Sequence, residues 1–137
     1  MKVLVVALAA GLSLLALASP SRADFIQCDV LGPCIGTDFA DNLDGTSGYD
    51  EMRGKEGADN VNGFGSGDDL FGGSGPDVIV GGGGDDAIHG RDGADEIRAA
   101  SDDSGGDFVD CGDGNDEVWA DPGDAVSPDC ETVHYIQ

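Results

Sequence analysis

The chain of 137 residues is poor in positive charge. It has 6 Lys and Arg residues against 28 Asp and Glu residues, so its formal net charge at pH 7 is −22. Nucleic acid and anionic membranes carry charge of the same sign, and such a surface repels both. The composition therefore argues against nucleic-acid binding. It also predicts that the chain resists compaction unless a counter-charge is supplied.

Long apolar runs are confined to the N-terminus. Residues 3–18 are apolar but too short to span a bilayer comfortably, and small residues surround Ala23. This is the pattern of a secretory signal peptide. We expect residues 1–23 to be a signal peptide cleaved after Ala23, with Ala18 as the alternative site. The mature protein should then be secreted and extracellular, without a membrane span.

Glycine and aspartate are abundant, and both recur every nine residues. Seven units of nine run without a gap over residues 36–98, each beginning with glycine, with aspartate sixth and a large apolar residue eighth. The pattern continues less regularly after residue 98. The unit at residues 99–110 is three residues too long, the unit at 111–119 has the regular length, and the unit at 120–126 is too short. Such a fixed period indicates a repeat architecture. The sixth-position aspartates of these ten units are Asp41, Asp50, Asp59, Asp68, Asp77, Asp86, Asp95, Asp107, Asp116 and Asp124.

Each half of the unit has a physical role. The glycine-rich half can turn sharply because glycine reaches positive φ without steric cost. The second half is a three-residue strand with one inward side chain, since side chains alternate across a strand. Stacked coils would bury the aliphatic residues and bring carboxylates and loop carbonyls together. Such oxygen ligands suit Ca²⁺ better than Mg²⁺, because calcium coordination is larger and more tolerant.

The unit at residues 72–80 fits G-G-x-G-x-D-x-U-x, where U is a large aliphatic residue, at every defined position, and residues 81–89 fit equally well. These units resemble the RTX (hemolysin-type) calcium-binding nonapeptide repeat of secreted bacterial proteins. The resemblance covers residues 36–126. It implies an all-β fold, a right-handed parallel β-roll of about five coils. It also implies several Ca²⁺ ions held by the ten aspartates, with loop glycine carbonyls completing each shell.

Two units make one coil, so units two apart lie on the same side of the roll. We expect the β-roll over residues 36–126, an N-terminal cap over 24–35 and a C-terminal cap over 127–137, in which 131–137 forms a closing strand. The aspartates then fall into two columns. One column is Asp41, Asp59, Asp77, Asp95 and Asp116, and the other is Asp50, Asp68, Asp86, Asp107 and Asp124.

The composition also predicts calcium-dependent folding. High charge, many glycines and few aromatics are typical of a disordered chain. Loss of the signal peptide would remove two of the six basic residues, so the net charge would become 4 − 28 = −24. We expect the metal-free protein to be largely unfolded and Ca²⁺ to supply the free energy of folding.

Four cysteines, Cys28, Cys34, Cys111 and Cys130, allow three pairings. Export favours disulfides. In a stacked roll the first two cysteines lie before the repeats and the last two at the far end, whereas a disulfide needs Cα atoms within about 7 Å. We favour Cys28–Cys34 and Cys111–Cys130.

No catalytic signature accompanies the repeat. Neither H-E-x-x-H nor G-x-S-x-G occurs, and every coil supplies the same carboxylates, so no acid is singled out for catalysis. Outward-facing Phe71, Phe108 and Trp119 look scattered, and His89 is expected on the surface. We expect a monomeric calcium binder that is not an enzyme. A calcium-rigidified adhesin or matrix protein with a cell-surface or extracellular partner stays open, as does an accessory module of a secreted enzyme.

Overall fold

The computed structural model describes residues 23–29, 32–100 and 106–136. The expected signal peptide lies outside these residues, except for Ala23. Every regular element in the described parts is a β-strand. The strands are β1 (Phe25–Gln27), β2 (Cys34–Ile35), β3 (Asn42–Asp44), β4 (Glu51–Glu56), β5 (Asn60–Gly65), β6 (Asp69–Ser74), β7 (Val78–Gly83), β8 (Ala87–Gly93), β9 (Glu96–Arg98), β10 (Phe108–Gly114), β11 (Glu117–Ala120), β12 (Ala125–Val126) and β13 (Thr132–Tyr135).

Successive strands alternate between two parallel sheets. The odd-numbered strands form a seven-stranded sheet in the order β1-β3-β5-β7-β9-β11-β13, and the even-numbered strands form a six-stranded sheet from β2 to β12. Each pair of strands is therefore one turn of a flattened coil. The predicted all-β parallel β-roll is confirmed. The ten strands β3 to β12 are the five expected coils, and β1, β2 and β13 extend the stack to about six turns.

The core is the ladder of eighth-position side chains. In β7, for example, Ile79 is fully buried while Val78 and Val80 on either side are half-buried, as strand alternation requires. Ile79 pairs in register with Val61 on one side and Ile97 on the other. The ladder residues, each at most 1% exposed, are Leu43, Met52, Val61, Leu70, Ile79, Ile88, Ile97, Val109 and Val118.

Two disulfides close the ends of this core, and they are the pairs that the sequence favoured. Cys28 is bonded to Cys34, and Cys111 to Cys130. All four residues are at most 9% exposed and belong to the core cluster. The disulfides therefore fasten the first and last coils, where the ladder has a neighbour on only one side.

The segments expected as caps supply strands that continue the sheets. From the N-terminal segment, β1 pairs with β3 and β2 pairs with β4. From the C-terminal segment, β13 pairs with β11. Val133 packs against the core, whereas Tyr135 two residues later is 58% exposed.

Candidate metal centre

The sixth-position aspartates point into the roll. Nine of the ten are at most 4% exposed, and Asp124 in the last unit is partly buried. Burying a carboxylate is costly unless it is hydrogen-bonded and its charge is balanced. The nine buried residues are Asp41, Asp50, Asp59, Asp68, Asp77, Asp86, Asp95, Asp107 and Asp116.

Backbone hydrogen bonds join the aspartates into two columns. The Asp41 N–H donates to Asp59 Oδ1 at 2.7 Å, and the Asp59 N–H donates to Asp77 Oδ1 at 2.8 Å. The same bond recurs in the other column, from the Asp50 N–H to Asp68 Oδ1 at 2.8 Å. The membership of the columns is the one that the nine-residue period predicts, and the bonds link residues two units apart.

The columns tolerate the overlong unit. The Asp86 N–H donates to Asp107 Oδ1 at 2.8 Å although 21 residues separate them, and Val109 pairs in register with Ile88. Buried Asp107 therefore keeps the place that the sequence assigned to it. The column then ends at partly buried Asp124, whose Oδ1 accepts from the Asp107 N–H at 3.0 Å.

Sequence reasoning missed the groups at the two ends of the first column. The Asp24 N–H donates to Asp41 Oδ1 at 2.9 Å, so the backbone just before β1 caps the column. At the other end the Asp116 N–H donates to Glu131 Oε2 at 2.9 Å. A signal for Glu131 was present: Val133 stands two residues later, as the eighth-position residue follows the sixth.

The second carboxylate oxygen distinguishes the terminal coils from the middle ones. In the first coil this oxygen is hydrogen-bonded to a threonine. Asp41 Oδ2 accepts from the Thr37 N–H at 2.6 Å and from the Thr37 hydroxyl at 2.9 Å. Thr46 donates to Asp50 Oδ2 in the same way, at 2.6 and 3.0 Å. Asp124 Oδ2 accepts from the Asp121 N–H at 2.6 Å.

In the middle coils the Oδ2 atoms are buried and accept no hydrogen bond from the described residues. A buried acceptor without a donor is rare, and one that recurs with the repeat indicates an absent positive partner. The residues are Asp59, Asp68, Asp77, Asp95 and Asp116.

First-position glycines leave space beside the Oδ2 atoms of Asp59, Asp68, Asp77 and Asp95, whereas the unit of Asp116 begins with Cys111. A methyl group added at Gly63 would lie 2.5 Å from Asp68 Oδ2 and 2.5 Å from the carbonyl oxygen of Gly81. At Gly90 it would lie 2.5 Å from Asp95 Oδ2 and 2.6 Å from the carbonyl oxygen of Cys111. A carboxylate oxygen and a carbonyl oxygen thus border a volume that any side chain would fill.

The electrostatics of the columns are unfavourable without a cation. The pKa of Asp68 and of Asp77 is raised to about 7, and that of Asp95 to about 6, chiefly by burial. Neighbouring carboxylates in the same column contribute to the increase, and the backbone N–H bound to each Oδ1 opposes it. Burial also raises the pKa of Asp59 and Asp116.

The donor set fits calcium. Across the described ranges, no three His, Cys, Asp or Glu side chains converge as a metal site made of side chains alone would require. What converges instead is one carboxylate per turn with backbone carbonyls, and such hard oxygen ligands are those of Ca²⁺. The open Oδ2 atoms and the neighbouring carbonyl oxygens of the middle coils are the donors that such an ion would need.

Comparison with known proteins gives one family. The family described as the RTX calcium-binding nonapeptide repeat (4 copies) matches residues 35–69, 62–97 and 101–124, well over half of the chain. No curated protein and no solved structure matches the chain. None of the described residues forms a helix long and apolar enough to cross a membrane. With its repeats stacked into a parallel β-roll, the chain belongs to the family of RTX calcium-binding nonapeptide-repeat proteins.

Proposed function

We propose that this protein is a secreted, non-catalytic binder of several calcium ions whose β-roll folds when the ions bind. The observation that carries the proposal is the recurrence of buried, unpartnered Oδ2 atoms, four of which lie beside first-position glycines. Asp59, Asp68, Asp77, Asp95 and Asp116 would hold the ions, together with loop carbonyl oxygens. The bound ion supplies positive charge between turns that otherwise bring carboxylates together.

Folding on binding is supported by the small hydrophobic core and by the excess of negative charge. One buried aliphatic side chain per nine residues is a small hydrophobic contribution against the conformational entropy of nine ordered residues. The net charge of −22 adds repulsion on compaction. A ligand that binds the folded state alone stabilises it in proportion to the logarithm of its concentration, so millimolar extracellular calcium would favour the roll.

Secretion is supported by two independent features. The N-terminal pattern is that of a signal peptide. The two disulfides, at opposite ends of the roll, are typical of proteins that mature in an oxidising compartment. A binder that folds only outside the cell would also cross a membrane unfolded.

Calorimetric titration with Ca²⁺, followed in parallel by far-UV circular dichroism, tests the proposal. We expect several ions to bind and a β-sheet spectrum to appear with them. A spectrum that is the same in chelator and in calcium would contradict folding on binding, and an absence of binding heat would contradict the proposed function.

The variant Asp77→Asn tests the assignment of the ligands. Because Asp77 lies between Asp59 and Asp95 in its column, we expect calcium affinity to fall at two neighbouring sites at once. Asp38→Asn is the matched control, since Asp38 is exposed and outside the columns. Equal titration curves for both variants would contradict the assignment.

A further inference from the structure

The even-numbered sheet carries a cluster of basic residues on its outer face. Arg53, Lys55 and Arg91 line one cleft of about 670 Å³, together with Phe71 and His89. Only one other basic residue, Arg98, lies in the described part of the chain, and it is on the opposite sheet. In a protein of net charge −22, this concentration on one face calls for a physical explanation.

Phe71 organises the cluster. The guanidinium carbons of Arg53 and Arg91 each lie 5.0 Å from the centre of its ring. The His89 ring stacks on Phe71 with centroids 4.9 Å apart and contacts Phe108 at 5.9 Å. These cation–π and stacking contacts restrict the rotamers of both arginines, so the cations are held at the cleft before any ligand arrives.

Two of the cations stand where the repeat normally has glycine. Lys55 and Arg91 are the second residues of their units and have φ of 91° and 84°. They pair in register with Gly73, and Arg91 also with Gly112, across the even-numbered sheet. A non-glycine residue in this region is strained, and such outliers concentrate at functional sites. Phe64 and Ser66 share this backbone region, so the strain accompanies the two cations but does not by itself distinguish them.

Lys55 and Arg91 also lack acidic partners. Arg53 and Arg98 are each paired with a glutamate two residues earlier, but no described carboxylate forms an ion pair with Lys55 or Arg91. The two flank Gly73, which has no side chain to fill the gap. Their backbones are two strand spacings apart, roughly 10 Å, so both long side chains can reach one anion above Gly73.

The neighbouring charges limit the size of that anion. Asp92, Asp110 and Asp113 line the same cleft: Asp92 pairs in register with Ser74, whereas Asp110 and Asp113 are on β10, two strands from Gly73. An extended polyanion would meet all three carboxylates, whereas a compact anion over Gly73 has only Asp92 of the three on an adjacent strand. A phosphate group combines high charge with three acceptor oxygens for the fork of an arginine and the ammonium of a lysine.

We propose that the cleft over Gly73 binds the phosphate group of a small phosphate or phosphate monoester, held by Lys55 and Arg91 with Arg53 and His89 beside it. This binding is separate from calcium binding, which occurs inside the roll. It requires only the folded protein.

The test is a ¹H–¹⁵N NMR titration of the calcium-loaded protein at constant ionic strength, with calcium low enough to keep calcium phosphate dissolved. Inorganic phosphate, glycerol phosphate and acetate are the probes. We expect saturable shifts of the Gly72, Gly73 and Ser74 amides with both phosphates and none with acetate. Stronger binding of glycerol phosphate would identify an ester as the ligand, and equal binding would identify the phosphate ion alone.

Lys55→Gly and Arg91→Gly separate binding from folding. Each restores the glycine of the repeat and relieves a positive φ, so the variant should fold at least as well while its phosphate affinity falls about tenfold, the loss of one charge-assisted hydrogen bond. Phe64→Gly is the matched control, because Phe64 has the same backbone conformation (φ 74°) on the other sheet. Its affinity should be unchanged.

Three results would overturn the proposal. They are no shift at Gly73 at millimolar phosphate, shifts confined to the aspartate turns that hold calcium, and equal affinity in Lys55→Gly and the parent. Acetate binding as tight as phosphate would overturn the ligand class. None of these results bears on calcium binding, which the calorimetric titration measures separately.

Discussion

At the scale of single residues, two kinds of position set the chemistry of the roll. The sixth-position aspartate supplies a buried oxygen, and the first-position glycine leaves the space beside it. At Gly63 both functions meet, since an added methyl would contact Asp68 and the Gly81 carbonyl together. The glycine would therefore be part of the proposed calcium site although it has no side chain.

Gly63→Ala tests this role. We expect the variant to bind less calcium and to unfold at lower temperature in calcium, because the methyl occupies the space between the two oxygens. Gly65→Ala is the control, since nothing lies within 4 Å of a methyl at that position. Thermal unfolding with calorimetric stoichiometry compares them, and similar behaviour of the two variants would contradict the role given to Gly63.

At the scale of strands and coils, the sequence predicted what the period controls. The units of nine, the ladder from Leu43 to Val118 and both aspartate columns are regular features that followed from counting residues. The disulfide pairs followed from the positions of the cysteines at opposite ends of the repeats. The period could not predict the contacts of side chains that lie outside the motif. The Thr37 hydroxyl donates a hydrogen bond to Asp41. Phe71 and Phe108, which looked scattered in the sequence, both contact the ring of His89. Such contacts link neighbouring turns through side chains outside the motif.

The two disulfides should contribute unequally to stability. Cys28–Cys34 closes a separation of 6 residues and Cys111–Cys130 one of 19, and both bury their sulfurs. In the chain-entropy model the longer loop stabilises by about 1 kcal/mol more. We expect the double variant Cys111→Ala, Cys130→Ala to lose that much more free energy of unfolding than Cys28→Ala, Cys34→Ala, as denaturant unfolding in calcium would measure. Equal losses would contradict the model.

At the scale of the whole molecule, a rise in pH should destabilise the folded metal-free state and calcium should stabilise the folded state. Both effects act on the same aspartate columns. The folded-state pKa of Asp68 and of Asp77 is about 7, above the ordinary value of 3.8. Between these pH values the folded metal-free state binds more protons than the unfolded state, so its stability falls as pH rises. Calcium requires the deprotonated carboxylate, so its affinity should rise over the same range.

Calcium-stripped protein, prepared by dialysis, tests this linkage. We expect its β-sheet signal to weaken as pH rises from about 4 to about 7 and to level off above. Calcium binding near pH 6.5 should release protons, and calorimetry in buffers of different ionisation enthalpy would detect them. A metal-free protein that gains structure with rising pH would contradict the raised pKa values.

The threonine closure of the first coil gives calcium-driven winding a starting point and a direction. Thr37 and Thr46 already satisfy both carboxylates of that coil, so it can form before any ion arrives. A disulfide fastens each end of the roll, but at the C-terminal end Asp116 Oδ2 accepts no hydrogen bond from the described residues. Each later turn then has a finished template to lie on. We expect the roll to fold turn by turn from its N-terminal end, with one ion bound after another.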